Sequence, residues 1–291
     1  MEFSRLTLGC IGEIRRYFAN NECRICDCTI GGTFMWRDFH HTEYAVEDEA
    51  LYIKVAYPQI AFAPPRGAGA GREAYERIIG YCAEKGMPAR LCSVSLTVLE
   101  DILDMFPGAK AATDRDCSDY IYLSESIATL AGRKLAGQRN HINRFVREHP
   151  DWTFERIDAG NLGDVRNFFE RYAQEHIKDY PAYIEGNRKA LEVLDNLDIY
   201  GQSGGVLRAG GRVVGASLGE VVGDTLFVHV EKADADCHGS YPMLMKQFAM
   251  MYASEGTAFI NREEDDGVEG LRASKLSYHP IMLLDKYTVT L

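Results

Sequence analysis

One glycine-punctuated stretch at residues 204–233, GGVLRAGGRVVGASLGEVVGDTLFVHVEKA, constrains the fold of this chain more than any other. Its β-branched and aromatic runs are separated by Ala209-Gly210-Gly211 and by Gly223-Asp224, and such turn sequences favour tight reversals between antiparallel strands. Periodic apolar patterns before and after the stretch predict helices. We therefore predict a mostly antiparallel sheet flanked by helices in the C-terminal half of the chain. The predicted helices span about Leu130 to Glu148, Leu162 to His176, Tyr183 to Leu194, Tyr241 to Ser254 and Val268 to Ser274, with a strand TAFIN before the last one.

The N-terminal half contains a second set of strand and helix patterns. Short strands are predicted between Tyr44 and Phe62, followed by helices from about Arg72 to Lys85 and from Leu96 to Phe106, with a strand at Arg90 to Val94 between them. The polar run Ala111 to Asp119 is the best candidate for a connection. A chain of 291 residues is longer than one typical domain. We therefore predict an α/β (α+β) protein with two lobes, at residues 1–118 and 119–291.

Charge and cysteine content limit the possible partners and the compartment. The net charge of −11 repels nucleic acid overall, so a polyanionic partner requires a local basic patch. The eight cysteines are sparse and irregularly spaced, which favours reduced thiols in a cytoplasm. Neither a signal-peptide core nor a stretch of about 18–20 apolar residues is found, so a cytoplasmic protein without a membrane span is expected.

A basic helix supplies such a patch. All the charged side chains between Glu125 and Glu148 are basic. Leu135, Ile142 and Val146 form its predicted apolar stripe, and Arg139 falls on that stripe. A guanidinium on a packing face must either bind an anion ligand or pair with a carboxylate of its own lobe, and the sequence leaves both possibilities open.

The end of the strand LFVHVEKA is a second candidate site. Glu231 and Lys232 either face a donor substrate there or form a weak surface pair. The following turn does not resemble a coenzyme A pyrophosphate cradle, because Asp234 and Asp236 would repel the phosphates and only Gly239 precedes the helix.

The strongest candidate is the segment INREEDDGVEGLRASKL. Asn261 and Arg262 come directly after a predicted strand, four carboxylates occupy positions 263–266, and Arg272 and Lys275 lie three residues apart on the next helix. The helix macrodipole explains why acidic residues precede basic ones along this segment. It does not explain why Asn, Arg, Glu and Lys are all concentrated at the end of one strand. The acidic run lacks the ligand spacing of a calcium loop, so no metal is predicted there.

Two weaker motifs have structural interpretations. Cys23, Cys26 and Cys28, with His40-His41 downstream, contain one C-x-x-C pair without the second pair typical of zinc sites, so buried cysteines are the preferred interpretation. The glycines between residues 67 and 71 lack the spacing of a dinucleotide loop and indicate a flexible strand-to-helix connection.

The strings CDCTIGGTFMWR, SDYIYL, LAGRKLAGQRNHINRF, HVEKA, INREEDDG and LRASKLSYHP occur in this order. Together they resemble a bacterial family related to the C-terminal catalytic domain of phosphatidylglycerol lysyltransferase, over about Cys26 to Tyr287. The resemblance implies two tandem lobes like those of GCN5-related N-acetyltransferases (GNAT), similar to the Fem peptidyltransferases, which move an aminoacyl group from aminoacyl-tRNA to a hydroxyl or amine. The membrane-spanning half of the full lysyltransferase has no counterpart in these residues, which argues against a lipid acceptor.

Carried over residue by residue, the resemblance implies that Arg139 and Asn140 face the phosphates of the donor and that Arg272 and Lys275 lie at the reacting ester. Ester aminolysis or transesterification requires a base and a group that stabilises the oxyanion. We hypothesise that Glu231 or Glu263 is the base, that Lys275 stabilises the oxyanion and that Arg272 orients a substrate. The further predicted substrate-binding residues are Lys232, Asn261, Arg262 and Tyr278.

Three functions remain open at this point. The first is an aminoacyltransferase that binds tRNA through the basic helix Arg133 to Arg147. The second is an atypical acyl-coenzyme A transferase, and the third is a non-catalytic protein that binds a small anion or peptide on the same fold. No cofactor is predicted beyond the donor substrate. The acceptor is left open among small molecules, peptides and lipid headgroups.

Overall fold

The computed structural model describes residues 1–19, 23–175, 181–253 and 255–291. The chain divides into two compact units. The first comprises Met1–Asp119 together with Leu284–Leu291, and the second comprises Tyr120–Leu283.

The strands, in chain order, are β1 Ser4–Arg5, β2 Glu43–Glu47, β3 Ala50–Val55, β4 Ala61–Phe62, β5 Arg90–Val94, β6 Lys110–Thr113, β7 Asp119–Leu123, β8 Thr153–Arg156, β9 Ser203–Ala209, β10 Arg212–Val222, β11 Thr225–Ala233, β12 Phe259–Asn261, β13 Met282–Leu284 and β14 Tyr287–Thr290. The α-helices are α1 Ile11–Ile14, α2 Ile30–Met35, α3 Arg72–Glu84, α4 Leu96–Met105, α5 Ser124–Thr129, α6 Ala136–Glu148, α7 Leu162–Glu175, α8 Pro181–Asp195, α9 Leu197–Tyr200, α10 Ser240–Tyr252 and α11 Glu269–Leu276. Short 3₁₀ turns span Leu8–Cys10, Arg15–Phe18, Cys26–Cys28 and Arg115–Cys117.

The first unit is built on a seven-stranded sheet with the order β1-β2-β3-β4-β5-β14-β6. Only β4 and β5 pair in parallel, and the other described pairs are antiparallel. Helices α3 and α4 cover it through apolar residues at helical spacing, such as Ile78 and Ile102, which are fully buried.

The second unit has another seven-stranded sheet, with the order β13-β7-β12-β11-β10-β9-β8. Strands β9, β10 and β11 form the antiparallel meander that the glycine-rich turns predict. Most of their residues are buried and apolar, and helices pack against them. Phe145 of α6 and Phe248 of α10 are fully buried in this core, and truncation of such a residue to alanine typically costs about 3–5 kcal/mol.

The predicted fold class is confirmed, since both sheets are mostly antiparallel and flanked by helices. One helix was predicted wrongly, and one predicted connection contains strands. The run Ala111 to Asp119 includes part of β6 and the start of β7; β6 is an exposed edge strand without apolar alternation, and the role of the run as the connection between lobes stays a prediction. The helix predicted from Leu130 begins only at Ala136, because Leu130 and Gly132 adopt left-handed backbone conformations that end α5.

Some predicted features are not tested by the part of the chain that the structure describes. The predicted helix ends at His176 and Ser254 fall outside the described residues. The lobe boundary at residue 118 stays a prediction. In the structure, the C-terminal strand β14 belongs to the first sheet, and Leu284–Leu291 belong to the first unit. In the described ranges, no helix combines the length and apolarity that crossing a membrane requires.

Candidate functional site

Strands β11 and β12 of the second sheet run parallel and separate at their carboxyl ends. Strands β11 and β12 pair from Thr225–Phe259 to Phe227–Asn261, where β12 ends. Strand β11 continues to Ala233 and stays paired with β10 on its other side. The second half of β11 therefore lies beside the loop that follows β12, in a position where α/β sheets commonly bind ligands.

A β-bulge places His229 against that loop. Leu218 pairs with Val230 and Gly219 with Val228, so His229 is the extra residue on β11. Its Nδ1 lies 2.7 Å from Glu263 and its Nε2 lies 3.0 Å from Glu220. A carboxylate accepts hydrogen bonds, so both ring nitrogens donate and the imidazole is a cation. Burial by itself would lower the pKa of His229, but the two carboxylates outweigh it and raise this pKa to about 10.

The same loop is fixed by Asn261. Its Oδ1 accepts a hydrogen bond from the backbone N–H of Glu263 at 2.6 Å, and its side chain is fully buried. Glu263 itself adopts a left-handed backbone conformation with a φ of 58°. The carboxylate of Glu263 is thus held on His229, which makes Glu263 the weaker of the two predicted bases.

Glu231 and Arg262 form a largely buried ion pair between β11 and the loop, with side chains that are 12% and 7% exposed. Arg262 Nη2 donates to Glu231 Oε1 at 2.9 Å. The guanidinium carbon lies 4.7 Å from the ring centroid of Tyr278 and 5.8 Å from that of Tyr122, and such stacking stabilises a desolvated cation. Burial alone would lower the pKa of Arg262, but the charge of Glu231 more than offsets it and raises this pKa above its usual range.

This pair has unused hydrogen-bonding capacity. Arg262 Nη1 and Glu231 Oε2 are both buried, and neither makes a hydrogen bond to any described residue. Buried polar atoms normally have partners, because leaving one unsatisfied costs about 1–3 kcal/mol. One open donor and one open acceptor on adjacent side chains suit a ligand that offers both functions.

The two cations of α11 hold the loop instead of facing this pair. Lys275 Nζ donates to the carbonyl oxygens of Arg262 at 2.6 Å and of Glu263 at 3.1 Å, and also to that of Glu264. An ammonium has three donors, so the geometry disfavours the predicted oxyanion role of Lys275 and indicates a positioning role.

Arg272 also binds the loop that follows β12. It binds both oxygens of Asp265, at 2.9 and 2.7 Å. Burial by itself raises the pKa of Asp265, but hydrogen bonds from Arg272 and Tyr120 outweigh it and hold this pKa below its usual range. Arg272 thus braces the loop, and a direct contact with substrate stays a prediction.

Lys232 has aromatic and amide neighbours. Its Nζ donates to Asn187 Oδ1 at 2.6 Å and lies 4.9 Å from the ring centroid of Tyr172 and 5.5 Å from that of Tyr183. Burial lowers the pKa of Lys232 to about 8. This environment differs from the weak surface pair considered for Glu231 and Lys232.

On α6, the residues predicted to bind an anion have other contacts or are exposed. Arg139 donates to the carbonyl oxygens of Leu130 and Gly132, so it caps the preceding turn. The packing face of α6 includes Phe145 in place of the exposed Val146. Asn140 is exposed, as are the side chains of Arg133, Lys134, Arg144 and Arg147.

The turn before α10 contacts both α7 and α6. Arg171 Nη2 binds both oxygens of Asp234, at 3.2 and 3.1 Å, whereas Asp236 is exposed. Gly239 has a φ of 84°, and a side chain there would collide with the carbonyl oxygen of His141. Arg171 offsets the charge of Asp234, so the repulsion predicted for a pyrophosphate rests mainly on Asp236.

Residues 22–290 match the profile of the family described as phosphatidylglycerol lysyltransferase, C-terminal. The chain belongs to this family. The predicted resemblance is therefore confirmed, and this homology supports the coarse class of aminoacyl- or acyltransferase.

Solved structures similar to this lysyltransferase-family chain show the same fold. A conserved protein of unknown function from Bacteroides thetaiotaomicron is 31% identical with a TM-score of 0.91, and the match covers 100% of this chain and 99% of that chain. The C-terminal domain of a putative lysylphosphatidylglycerol synthetase from Agrobacterium fabrum is 16% identical with a TM-score of 0.65, over 90% of this chain and 86% of that chain. FemX is 11% identical with a TM-score of 0.55, over 98% and 97%, which supports the Fem-like tandem GNAT architecture.

An uncharacterised protein of Mycoplasmoides gallisepticum is 23% identical over 186 residues, which are 59% of this chain and 56% of that relative. The chain thus spans little more than half the length of this curated relative.

Of the predicted site residues in this family member, Glu231, Glu263, Asn261, Arg262, Lys275 and Tyr278 come together around the end of β12. Sequence reasoning missed His229, Glu220 and Tyr122. The one signal for His229 and Glu220 was that two polar residues interrupt otherwise apolar strands.

Proposed function

We propose that this chain transfers an aminoacyl group from aminoacyl-tRNA to a hydroxyl or amine acceptor, with Glu231 and Arg262 at the reaction centre. The observation that carries this proposal is the buried pair with one open acceptor, Glu231 Oε2, and one open donor, Arg262 Nη1. Membership in a lysyltransferase family supports the same class of reaction.

The two open atoms match the two requirements of the transfer. A new bond forms between the acceptor oxygen or nitrogen and the ester carbonyl carbon, while the bond from this carbon to the tRNA ribose oxygen breaks. Glu231 Oε2 accepts the proton of the attacking group and returns it to the leaving ribose oxygen. Arg262 Nη1 donates to the carbonyl oxygen as its negative charge develops.

The surrounding residues cover this centre and hold the loop beside it. The rings of Tyr122 and Tyr278 cover the guanidinium. Burial raises the pKa of Tyr278 above its usual range, so its hydroxyl stays neutral. Lys275 and the His229–Glu263 contact hold the loop that carries Arg262. Pre-positioned groups of this kind avoid reorganisation during the reaction.

Binding of tRNA is proposed for the exposed cations near α6. Arg133, Lys134 and Arg147 are exposed on a protein with a net charge of −11. Cations of this kind bind the phosphate backbone without sequence preference. This patch supports tRNA as the donor over a coenzyme A thioester, whose usual cradle would lie beside the exposed Asp236.

The test is an assay of donor consumption. The purified chain is incubated with a labelled pool of aminoacyl-tRNA and with cell extract as the source of acceptors, and loss of the aminoacyl ester is measured. The matched variants are Glu231→Gln and Glu269→Gln, because Glu269 is exposed at the start of α11. The proposal expects loss that requires the extract and Glu231 but not Glu269.

Two outcomes would contradict the proposal. If no aminoacyl ester is consumed but an acyl-coenzyme A is, the donor is a thioester. If neither donor is consumed and only ligand binding is detected, by an increase in the melting temperature, the chain is a binding protein on this fold.

A further inference from the structure

The first unit contains a cavity of about 270 Å³ that the proposed transfer reaction does not use. Cys23, Cys28 and Arg66 line it, together with Ser93 and Pro65. All of these residues belong to the first unit. Two thiols and a guanidinium facing one cavity form a chemically reactive combination, since a nearby cation favours the thiolate.

The two sulfur atoms are close to each other. Cys23 Sγ and Cys28 Sγ lie 2.9 Å apart, and both cysteines are free. A disulfide bond requires about 2.05 Å between the sulfur atoms, so a small movement of either side chain would join them. Both side chains are partly exposed, which gives a small reagent access.

Arg66 supplies positive charge beside these thiols. Its Nη2 donates to the carbonyl oxygen of Asp27 at 3.0 Å, and its guanidinium stacks 4.5 Å from the ring centroid of Phe18. Its Nη1 is buried and makes no hydrogen bond to a described residue. A buried, unsatisfied cationic donor next to two thiols is satisfied if an anion forms or binds there.

The ionisation of the two thiols follows from this geometry. A hydrogen bond with Cys28 outweighs burial and, together with the backbone N–H of Ile25 and the charge of Arg66, lowers the pKa of Cys23 to about 7. The same contact raises the pKa of Cys28. The lowered pKa of Cys23 favours this residue as the nucleophile and Cys28 as the second thiol.

Cys26 does not take part in this pair. Its Sγ lies 3.2 Å from Lys286 Nζ and 3.5 Å from Asp119. The close pair of sulfur atoms is therefore that of Cys23 and Cys28.

We propose that Cys23 and Cys28 are a redox-active dithiol that a low-molecular-weight disulfide oxidises reversibly. The Cys23 thiolate attacks one sulfur of the oxidant, which forms a mixed disulfide and releases one equivalent of small thiol. Cys28 then loses its proton and attacks Cys23 Sγ, which forms the internal disulfide and releases the second equivalent. Two protein thiols are oxidised, and one small disulfide is reduced to two thiols.

The experiment uses the full chain and oxidised glutathione as the probe. After treatment, remaining thiols are alkylated and the peptides are mapped by mass spectrometry. The proposal expects a cross-link between Cys23 and Cys28 in the wild type, which dithiothreitol reverses. Cys28→Ser should accumulate the glutathione adduct on Cys23, whereas Cys23→Ser should form neither product. Cys117→Ser is the control, because Cys117 is exposed and lies elsewhere in the unit.

The role of Arg66 has its own readout. Arg66→Met should slow the formation of the adduct on Cys23 at pH 7, by about five-fold if the pKa of this thiol rises by one unit. Wild-type protein in which Cys23 and Cys28 both remain alkylatable after treatment would overturn the proposal. So would an adduct that forms on Cys117 and never on Cys23, and both results are obtained without any variant.

Discussion

Glu231 accepts a hydrogen bond from the Arg262 guanidinium at 2.9 Å. One further buried atom on each side chain, Glu231 Oε2 and Arg262 Nη1, makes no hydrogen bond to any described residue. A buried ion pair contributes little net stability, because desolvation of the two charges offsets their attraction. An incompletely satisfied pair contributes still less. The arrangement is therefore better explained by a ligand that completes it than by stability.

Replacement of the proposed base should reduce turnover without unfolding the chain. We expect Glu231→Gln to lower kcat by about 100-fold or more, because general base catalysis typically contributes a factor of 10² to 10⁴. Glu231→Asp keeps a carboxylate and should retain part of the activity. Steady-state kinetics measure both, with thermal unfolding to confirm that the variants are folded. A Glu231→Gln variant with wild-type kcat would remove this residue from the mechanism.

Lys275 should matter for stability more than for chemistry. We expect Lys275→Met to lower the free energy of unfolding by at least about 3 kcal/mol, because three backbone carbonyls lose their donor and one hydrogen bond to a charged group is worth about 1.5–3 kcal/mol. Lys134→Met is the matched control, since Lys134 is exposed. Urea denaturation measures both variants. Equal stability of the two variants would show that Lys275 does not hold the loop, and would restore its predicted role in catalysis.

The proposed tRNA surface should show itself in the salt dependence of donor binding. We expect Arg133→Glu together with Lys134→Glu to raise the KM for aminoacyl-tRNA by about ten-fold at low salt, and to flatten the plot of log affinity against log salt by about 0.7–0.9 per lost phosphate contact. The kcat should be unchanged. Lys85→Glu together with Lys110→Glu, both exposed in the first unit, makes the same change of charge elsewhere in the chain. If that variant has the same effect, the response reflects net charge and not a binding surface.

The fold could be predicted from sequence where local patterns were strong. The turns at Gly210-Gly211 and Gly223-Asp224 set the pairing of β9, β10 and β11, and the structure has these strands as expected. Strand β14 could not be predicted in its place, because it pairs with β5 and β6 from the far end of the chain. Such a pairing leaves no local signal in a short segment.

The candidate site was predictable in composition but not in detail. The residue types after β12 indicated a site, but the partner of each charge depends on three-dimensional geometry. Lys275 has the same sequence spacing from Arg272 whether it points at a substrate or at the carbonyl of Arg262. The position of His229 depends on a one-residue bulge in β11, and a change of register by one residue is not visible in an apolar run.

The buried cation His229 should make stability depend on pH in a defined direction. Its pKa is raised from 6.5 to about 10 in the folded state by Glu220 and Glu263. A raised pKa contributes stability that is fully present below 6.5 and is lost as the pH rises towards 10, with a slope of at most about 1.4 kcal/mol per pH unit. Lys232, whose pKa burial lowers to about 8, acts in the opposite direction above that pH. The informative quantity is therefore the difference in unfolding free energy between wild type and His229→Gln, measured by urea denaturation from pH 6 to 10. We expect this difference to be largest at pH 6 and to shrink as the pH rises. A difference that is constant over this range would mean that His229 is not protonated between its two carboxylates.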